Sequence, residues 1–189
     1  MDREWLNLMT STDEIGKAVT AEAVTCLRYG VEKIEHCLGQ LDDDQIWWRP
    51  NEEMNAIGNL LLHLAGNLGQ WIVAGIGDTE YKRDRPAEFS ERRKRSKDEV
   101  LKTLLDAVEK SCATLTAVSA DELLAVNRIQ GSDVSKMNAM MHSVTHFQGH
   151  VQEIIGLTRQ TLGIEYRLQW TPQTAEEGAP KPSLEDSAD

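Results

Sequence analysis

The chain has 189 residues, 40% hydrophobic and 27% charged, which suits one globular domain with a core of its own. Its formal net charge is −11, and so acidic a surface repels phosphate backbones, which sets nucleic-acid binding aside. No apolar run is long enough to span a bilayer, which argues against a membrane role, and only 5 prolines and 13 glycines interrupt the sequence, which favours an all-α chain.

In chain order, the opening MDREWLNLMT lacks the basic stretch followed by an apolar one that marks a secretion signal. A first helix is expected over residues 12–41, where Ile15, Val19, Ala23, Cys26, Gly30, Ile34, Cys37 and Leu41 recur in steps of three and four. DDDQIWWRPNEE breaks that pattern, because Pro50 disfavours helix at Arg49. A second helix over residues 55–77 carries Ile57, Leu60, Leu61, Leu64, Leu68, Trp71 and Ile72 on its apolar side. GDTEYKRDRPAEFSERRKR then forms a polar connection long enough to cross the bundle. The third helix opens at Ser96, with Glu99 three residues on as a capping box, and continues through Leu101, Leu104, Leu105, Val108, Cys112 and Leu115. After the loop NRIQGSDVS, a fourth helix over residues 136–162 ends at Gly163 as its C′ residue. These elements predict a four-helix bundle with a long crossover between helices 2 and 3. Residues 1–170 form the domain, and residues 171–189 read as a disordered tail carrying five acids and one lysine.

The histidines carry the functional signal. Three of the five stand at positions 142, 146 and 150, and four-residue spacing stacks side chains on one helical face. Neighbouring members are separated by about 6 Å of rise and about 40° of rotation, so a pair can share one ion. His142 and His150 lie about 12 Å apart along the axis, so one of the three is a spare. A two-histidine clip needs a third ligand, and His63 in GNLLLHLAGN is the best candidate, because an imidazole in a leucine-rich helix is costly unless hydrogen-bonded or ligated. Asn59 and Asn67, one turn to either side, are candidates for contacts behind the ligands or to a substrate. The alternative is a set of histidines that simply pack in or on the bundle. His36 reads as a structural residue near a helix C-terminus. No Glu-x-x-His or His-Glu-x-x-His motif occurs, which argues against a carboxylate-bridged di-iron bundle and a zincin site.

The stretches WWRPNEEMNAIGNLLLHLAGNLGQW, DRPAEF and THFQGH resemble the DinB-like (YfiT-type) bundle proteins of bacteria, over residues 12–163. The resemblance implies an up-up-down-down four-helix bundle, a homodimer, and a divalent metal held by His63, His146 and His150, with His142 as the spare. Nickel or zinc is the ion it implies, with iron and manganese as alternatives. It also implies a small-molecule reaction with a low-molecular-weight thiol.

Three neutral imidazoles leave a divalent ion its full charge and an open position, which lowers the pKa of a bound water or thiol. The leading expectation is a thiol S-transferase type of enzyme, its reacting group a metal-bound water or thiol. The alternatives are a metal-hydroxide hydrolase and a non-catalytic dimeric metal-binding or interaction module. Cys26, Cys37 and Cys112 read as buried reduced thiols in a cytoplasmic protein rather than nucleophiles. Met137, Met140 and Met141 read as core, RRKR at 92–95 as a solvated loop, and Trp47 and Trp48 as packing the loop onto the core. Arg49 and Arg85 read as solvated arginines beside acids, with binding of a substrate carboxylate as the other reading.

Overall fold

A computed structural model describes residues 3–92 and 95–171, with side chains from residue 12 onward. Among these residues five α-helices and one hairpin occur: α1 (Arg3–Leu38), α2 (Ile57–Leu68), α3 (Arg85–Ser90), α4 (Lys97–Ala117), β1 (Val126–Ile129), β2 (Ser132–Ser135) and α5 (Lys136–Leu162). Each of α1 and α2 packs against both α4 and α5, the contact pattern of a helical bundle. The shared core is built from Leu27 and Ile34 of α1, Leu60 and Leu64 of α2, Leu104 and Val108 of α4, and Phe147 and Ile154 of α5.

The expected starts of α4 and α5 are present, whereas α1 begins at Arg3, well before the expected residue 12. Ser96 Oγ accepts from the Glu99 amide at 3.3 Å, which opens α4. The reciprocal half of that capping box is replaced, because the Glu99 carboxylate pairs with Arg95 instead. Ser135 caps α5 by accepting from Asn138, and Gly163 follows α5 with φ +57.

Four expectations are corrected. Residues 127–135 are not a plain loop but an antiparallel hairpin whose two-residue turn, Gln130-Gly131, has both φ values positive. The polar connection after α2 contains α3, capped by Asp84, whose carboxylate accepts from the Ala87 amide. Ile15 and Met141 are exposed rather than core, since each falls on the outer side of its helix. The second helix does not run unbroken to Gly77. After Leu68 it widens into a π-helical turn over Gly69–Ala74, and the amides of Gly75 and Gly77 reach back five residues to Gln70 and Ile72.

The remaining structural readings stand, except that Trp48 is exposed and Cys26 and Arg49 are half-buried. Trp47 is buried against Gly58 and its indole N–H donates to the Arg95 carbonyl, while Trp48 stays partly exposed. Cys37 and Cys112 are buried free thiols and Cys26 is half-buried. His36 and Gln40, one turn apart on α1, bind both backbone polar groups of Arg167, so the chain after α5 folds back onto α1. Residues 93–94 and 172–189, including all but the first residue of the acidic tail, lie outside the described residues.

The hairpin is fastened through Lys136, which is buried at 4% exposure and whose ammonium donates to Asp78 Oδ2 at 2.7 Å. Asp78 holds φ +52, and its other oxygen accepts from Asn127 of β1. The Lys136 hydrogen bond foremost holds the Asp78 carboxyl below its ordinary value. Because the folded value is depressed, this contribution is complete above the unfolded value near 3.8 and is lost as pH falls through the folded one. We expect Asp78→Ala to lower stability by roughly 2 kcal/mol by leaving the ammonium unpaired, and to flatten the acid limb of the stability curve below about pH 4. Urea denaturation from pH 3 to 7 checks both.

Candidate metal centre

His63 sits mid-way along α2 at 5% exposure, its ring directed across the bundle toward α5. His146 and His150 project from adjacent turns of α5. One ring nitrogen from each of the three lies within 4.8 Å of the other two. The closest approach is His63 Nε2 to His146 Nε2 at 3.1 Å. The His150 ring stands edge-on to both neighbours, with centroids 5.2 Å from His63 and 4.6 Å from His146.

The tautomers follow from what lies behind the rings. Glu88, at 7% exposure, places Oε2 2.9 Å from His63 Nδ1. Arg83 grips the same carboxylate with two donors, Nε to Oε1 at 2.6 Å and Nη2 to Oε2 at 2.7 Å. Burial alone would raise the Glu88 carboxyl, but the hydrogen bonds and charges of Arg83 and His63 outweigh it and leave the group below its ordinary value. An ionised carboxylate only accepts, so His63 Nδ1 carries the proton and donates to Glu88. That leaves the Nε2 lone pair directed at the cluster. His150 repeats the device, with Nδ1 donating to Glu153 Oε2 at 2.7 Å. Histidines that ligate metals characteristically donate their second nitrogen to a carboxylate in this way.

His146 differs, because its Nδ1 is buried without a hydrogen-bond partner. Burial first, then the charges of His150, His63, His142 and Arg83, lower its pKa from 6.5 to about 4. It is therefore uncharged at physiological pH, with its Nε2 facing that of His63. Three imidazole rings, two of them held by carboxylates, fit a borderline divalent ion and leave it an open coordination position.

The chain around the cluster is shaped for these contacts. A Cβ at position 66 would overlap Glu88 Oε1, so Gly66, three residues after His63, is what lets the carboxylate approach α2. Arg83 also donates to Gln70 Oε1 at 3.0 Å, and Gln130 at the hairpin tip donates to that same oxygen. The π turn carries Trp71, whose indole lies 4.1 Å from the His142 ring, centroid to centroid.

A family model described as "Protein of unknown function (DUF1572)" matches residues 14–174. The chain belongs to that family. The fold of this DUF1572 member is similar to that of a conserved protein from Enterococcus faecalis, 16% identical with a TM-score of 0.65, over 77% of this chain and 98% of that one. It is also similar to a DinB-like protein from Bacillus cereus, 13% identical with a TM-score of 0.59, over 73% of this chain and 89% of that one. No curated protein matches its sequence. The DinB-like resemblance seen in the sequence is thereby borne out. No described helix of the DUF1572 chain is long and apolar enough to cross a membrane.

Of the residues singled out in the sequence, His63, His146 and His150 come together and His142 stays outside the cluster, stacked on Trp71. Between elements, Asn59 and Asn67 hydrogen-bond to the backbone of α3 and to α5 rather than to the three rings. Asn59 donates to the carbonyls of Glu88 and Glu91 and so holds α3 in place, and Asn67 accepts from Ser143 of α5. Arg49 is half-buried, with one guanidinium nitrogen lacking a partner among the described residues. Sequence reasoning missed Arg83, Glu88 and Glu153. Glu153 had a signal, since it follows His150 by one helical step of three. Glu88 lay in a polar stretch where nothing marked one carboxylate as buried.

Two outcomes check this geometry. Glu88→Gln is expected to weaken zinc binding about 10- to 100-fold, measured by competition with a chromophoric chelator. In the metal-free protein, the His146 ring resonances are expected to titrate near pH 4 rather than 6.5, followed by NMR. The sign is fixed by the depressed folded value: the native state binds fewer protons below pH 6.5, so apo stability falls as pH drops from there toward 4.

Proposed function

We propose that this protein is a metal-dependent enzyme of the thiol S-transferase type, with His63, His146 and His150 as the ligands of a divalent ion, zinc or nickel. The observation that carries the reading is the convergence of three imidazole nitrogens from α2 and α5, two of them oriented by Glu88 and Glu153. A bound divalent ion supplies positive charge that lowers the pKa of a low-molecular-weight thiol, so that thiolate exists at neutral pH.

The chain's own groups do the rest. Glu88 and Glu153 hold two rings in the tautomer that presents Nε2 inward. Phe89 packs on the His63 ring at 4.7 Å between centroids and excludes water from that flank. In the transfer itself the thiol sulfur forms a bond to an electrophilic carbon, the leaving group departs with its electron pair, and the thiol proton passes to solvent. The cysteines take no part in this reading, since burial raises the pKa of Cys37 and Cys112. All three ligands come from one chain, so the homodimer implied by the resemblance is not required to assemble the site. The reading takes the bundle as up-up-down-down, which the long connection between α2 and α4 supports by leaving chain enough to cross it.

The test is metal analysis followed by thiol depletion. Purified protein is expected to hold about one divalent ion per chain, and His146→Ala or His150→Ala to lose it while retaining the helical circular-dichroism signal. The loaded protein is expected to consume a thiol from a panel in the presence of a generic alkylating electrophile. Metal retained by both variants removes the ligand assignment. Metal bound without turnover of any thiol removes the transferase reading and leaves a metal-binding module.

A further inference from the structure

Beside the histidine cluster, the cation of Arg85 has no hydrogen-bond or ion-pair partner among the described residues. Arg85, the first residue of α3, is exposed, and its guanidinium carbon lies 4.9 Å from the centroid of the Phe89 ring. Phe89 in turn packs on His63 with its ring tilted 40°, so guanidinium, benzene ring and imidazole form a row that ends at a cluster ligand. Three charged neighbours in the chain are already engaged. Arg83 spends its donors on Glu88 and Gln70, and Asp84, next to Arg85 in sequence, accepts from the Ala87 amide at the start of α3. Arg92, at the far end of α3, donates to the carbonyls of Phe89 and Glu91. Arg85 is therefore exposed, as the sequence suggested, but among the described residues it bonds to no acid. Among the described residues its five N–H donors meet no acceptor, and its contact is with the Phe89 ring.

We propose that Arg85 is the anchor for a substrate carboxylate, and that the protein acts on a small anionic molecule reaching from this guanidinium to the histidine cluster. The proposal rests on the metal-dependent reading of that cluster and names the substrate class it takes. Contact with Phe89 limits the directions in which the guanidinium moves, while its unpartnered N–H donors are available to a carboxylate. Arginine suits this position better than lysine, because its fork offers two parallel donors to a carboxylate while the cation keeps its contact with the ring. Arg85 reaches His63 by way of one ring, 4.9 Å and 4.7 Å between successive centres, so the ligand is a small one. A chain of net charge −11 repels anions at long range, and an unpaired cation at the site's edge is what offsets that locally.

The experiment uses full-length protein loaded with cobalt, whose visible absorption changes when a sulfur ligand binds. Two probes of equal length are titrated, 3-mercaptopropionate and its neutral amide, 3-mercaptopropanamide. Wild type is expected to bind the carboxylate about tenfold more tightly than the amide. Arg85→Ala is expected to bring the two within about twofold by weakening the carboxylate alone, and Arg85→Lys to keep part of the preference. Cobalt content and circular dichroism confirm that both variants are folded and loaded. No preference in wild type, or a preference that survives in Arg85→Ala, overturns the anchor. A spectrum that responds to neither thiol removes the thiol reading instead, and the anchor is then decided by calorimetry with succinate. Binding lost in Arg85→Ala upholds it, and equal or absent binding in both proteins overturns it.

Discussion

The structure turns on one buried carboxylate. Glu88 is ionised beneath the surface, and an ion there is tolerable only if its oxygens are saturated. Two donors from Arg83 and one from His63 saturate them, and the backbone carbonyl of the same residue is held by Asn59. These partners come from α2 and from the connection after it, so satisfying one charge fixes the helix, the connection and α3 relative to each other. Removing any partner would leave another stranded, which makes the group behave as a unit rather than as separate bonds.

That constraint reaches the histidine cluster in two ways. It sets the tautomer of His63, and it brings Phe89 and Arg85 alongside, because both lie on the short helix that carries Glu88. Polar contacts extend it further, through Gln70 to Gln130 at the hairpin tip. A hairpin remote in sequence is thus tied to the same carboxylate, while Lys136 and Asp78 secure its base. The cluster is held from behind by charge and hydrogen bonding and flanked by apolar rings.

Much of the architecture was legible before any coordinates. Apolar residues in steps of three and four located α1, α2, α4 and α5, because a bundle helix must keep its stripe toward the core. The histidines were legible because four-residue spacing is improbable by chance and has a geometric meaning on a helix. What could not be read depended on long-range partners. Glu88 is buried only because Gly66 and Arg83 meet it, and nothing local in a run of charged residues separates a buried acid from a solvated one. The hairpin escaped because its strands are four residues each and largely exposed, so they carry no alternating pattern. The π turn escaped because its residues are the same apolar types that an α-helix would use there.

That widened turn accommodates one residue more than an α-helical path would, so everything downstream of Leu68 is rotated relative to the helix before it. Such a turn corresponds to one codon more than an α-helical path of the same length would need. Loss of that codon in a relative would restore the regular spiral and swing the indole of Trp71 away from His142, changing the rim of the cluster while sparing its three rings. Comparing related chains for a one-position gap between residues 69 and 74 therefore sorts them by the shape of their rim, independently of whether they keep the histidines.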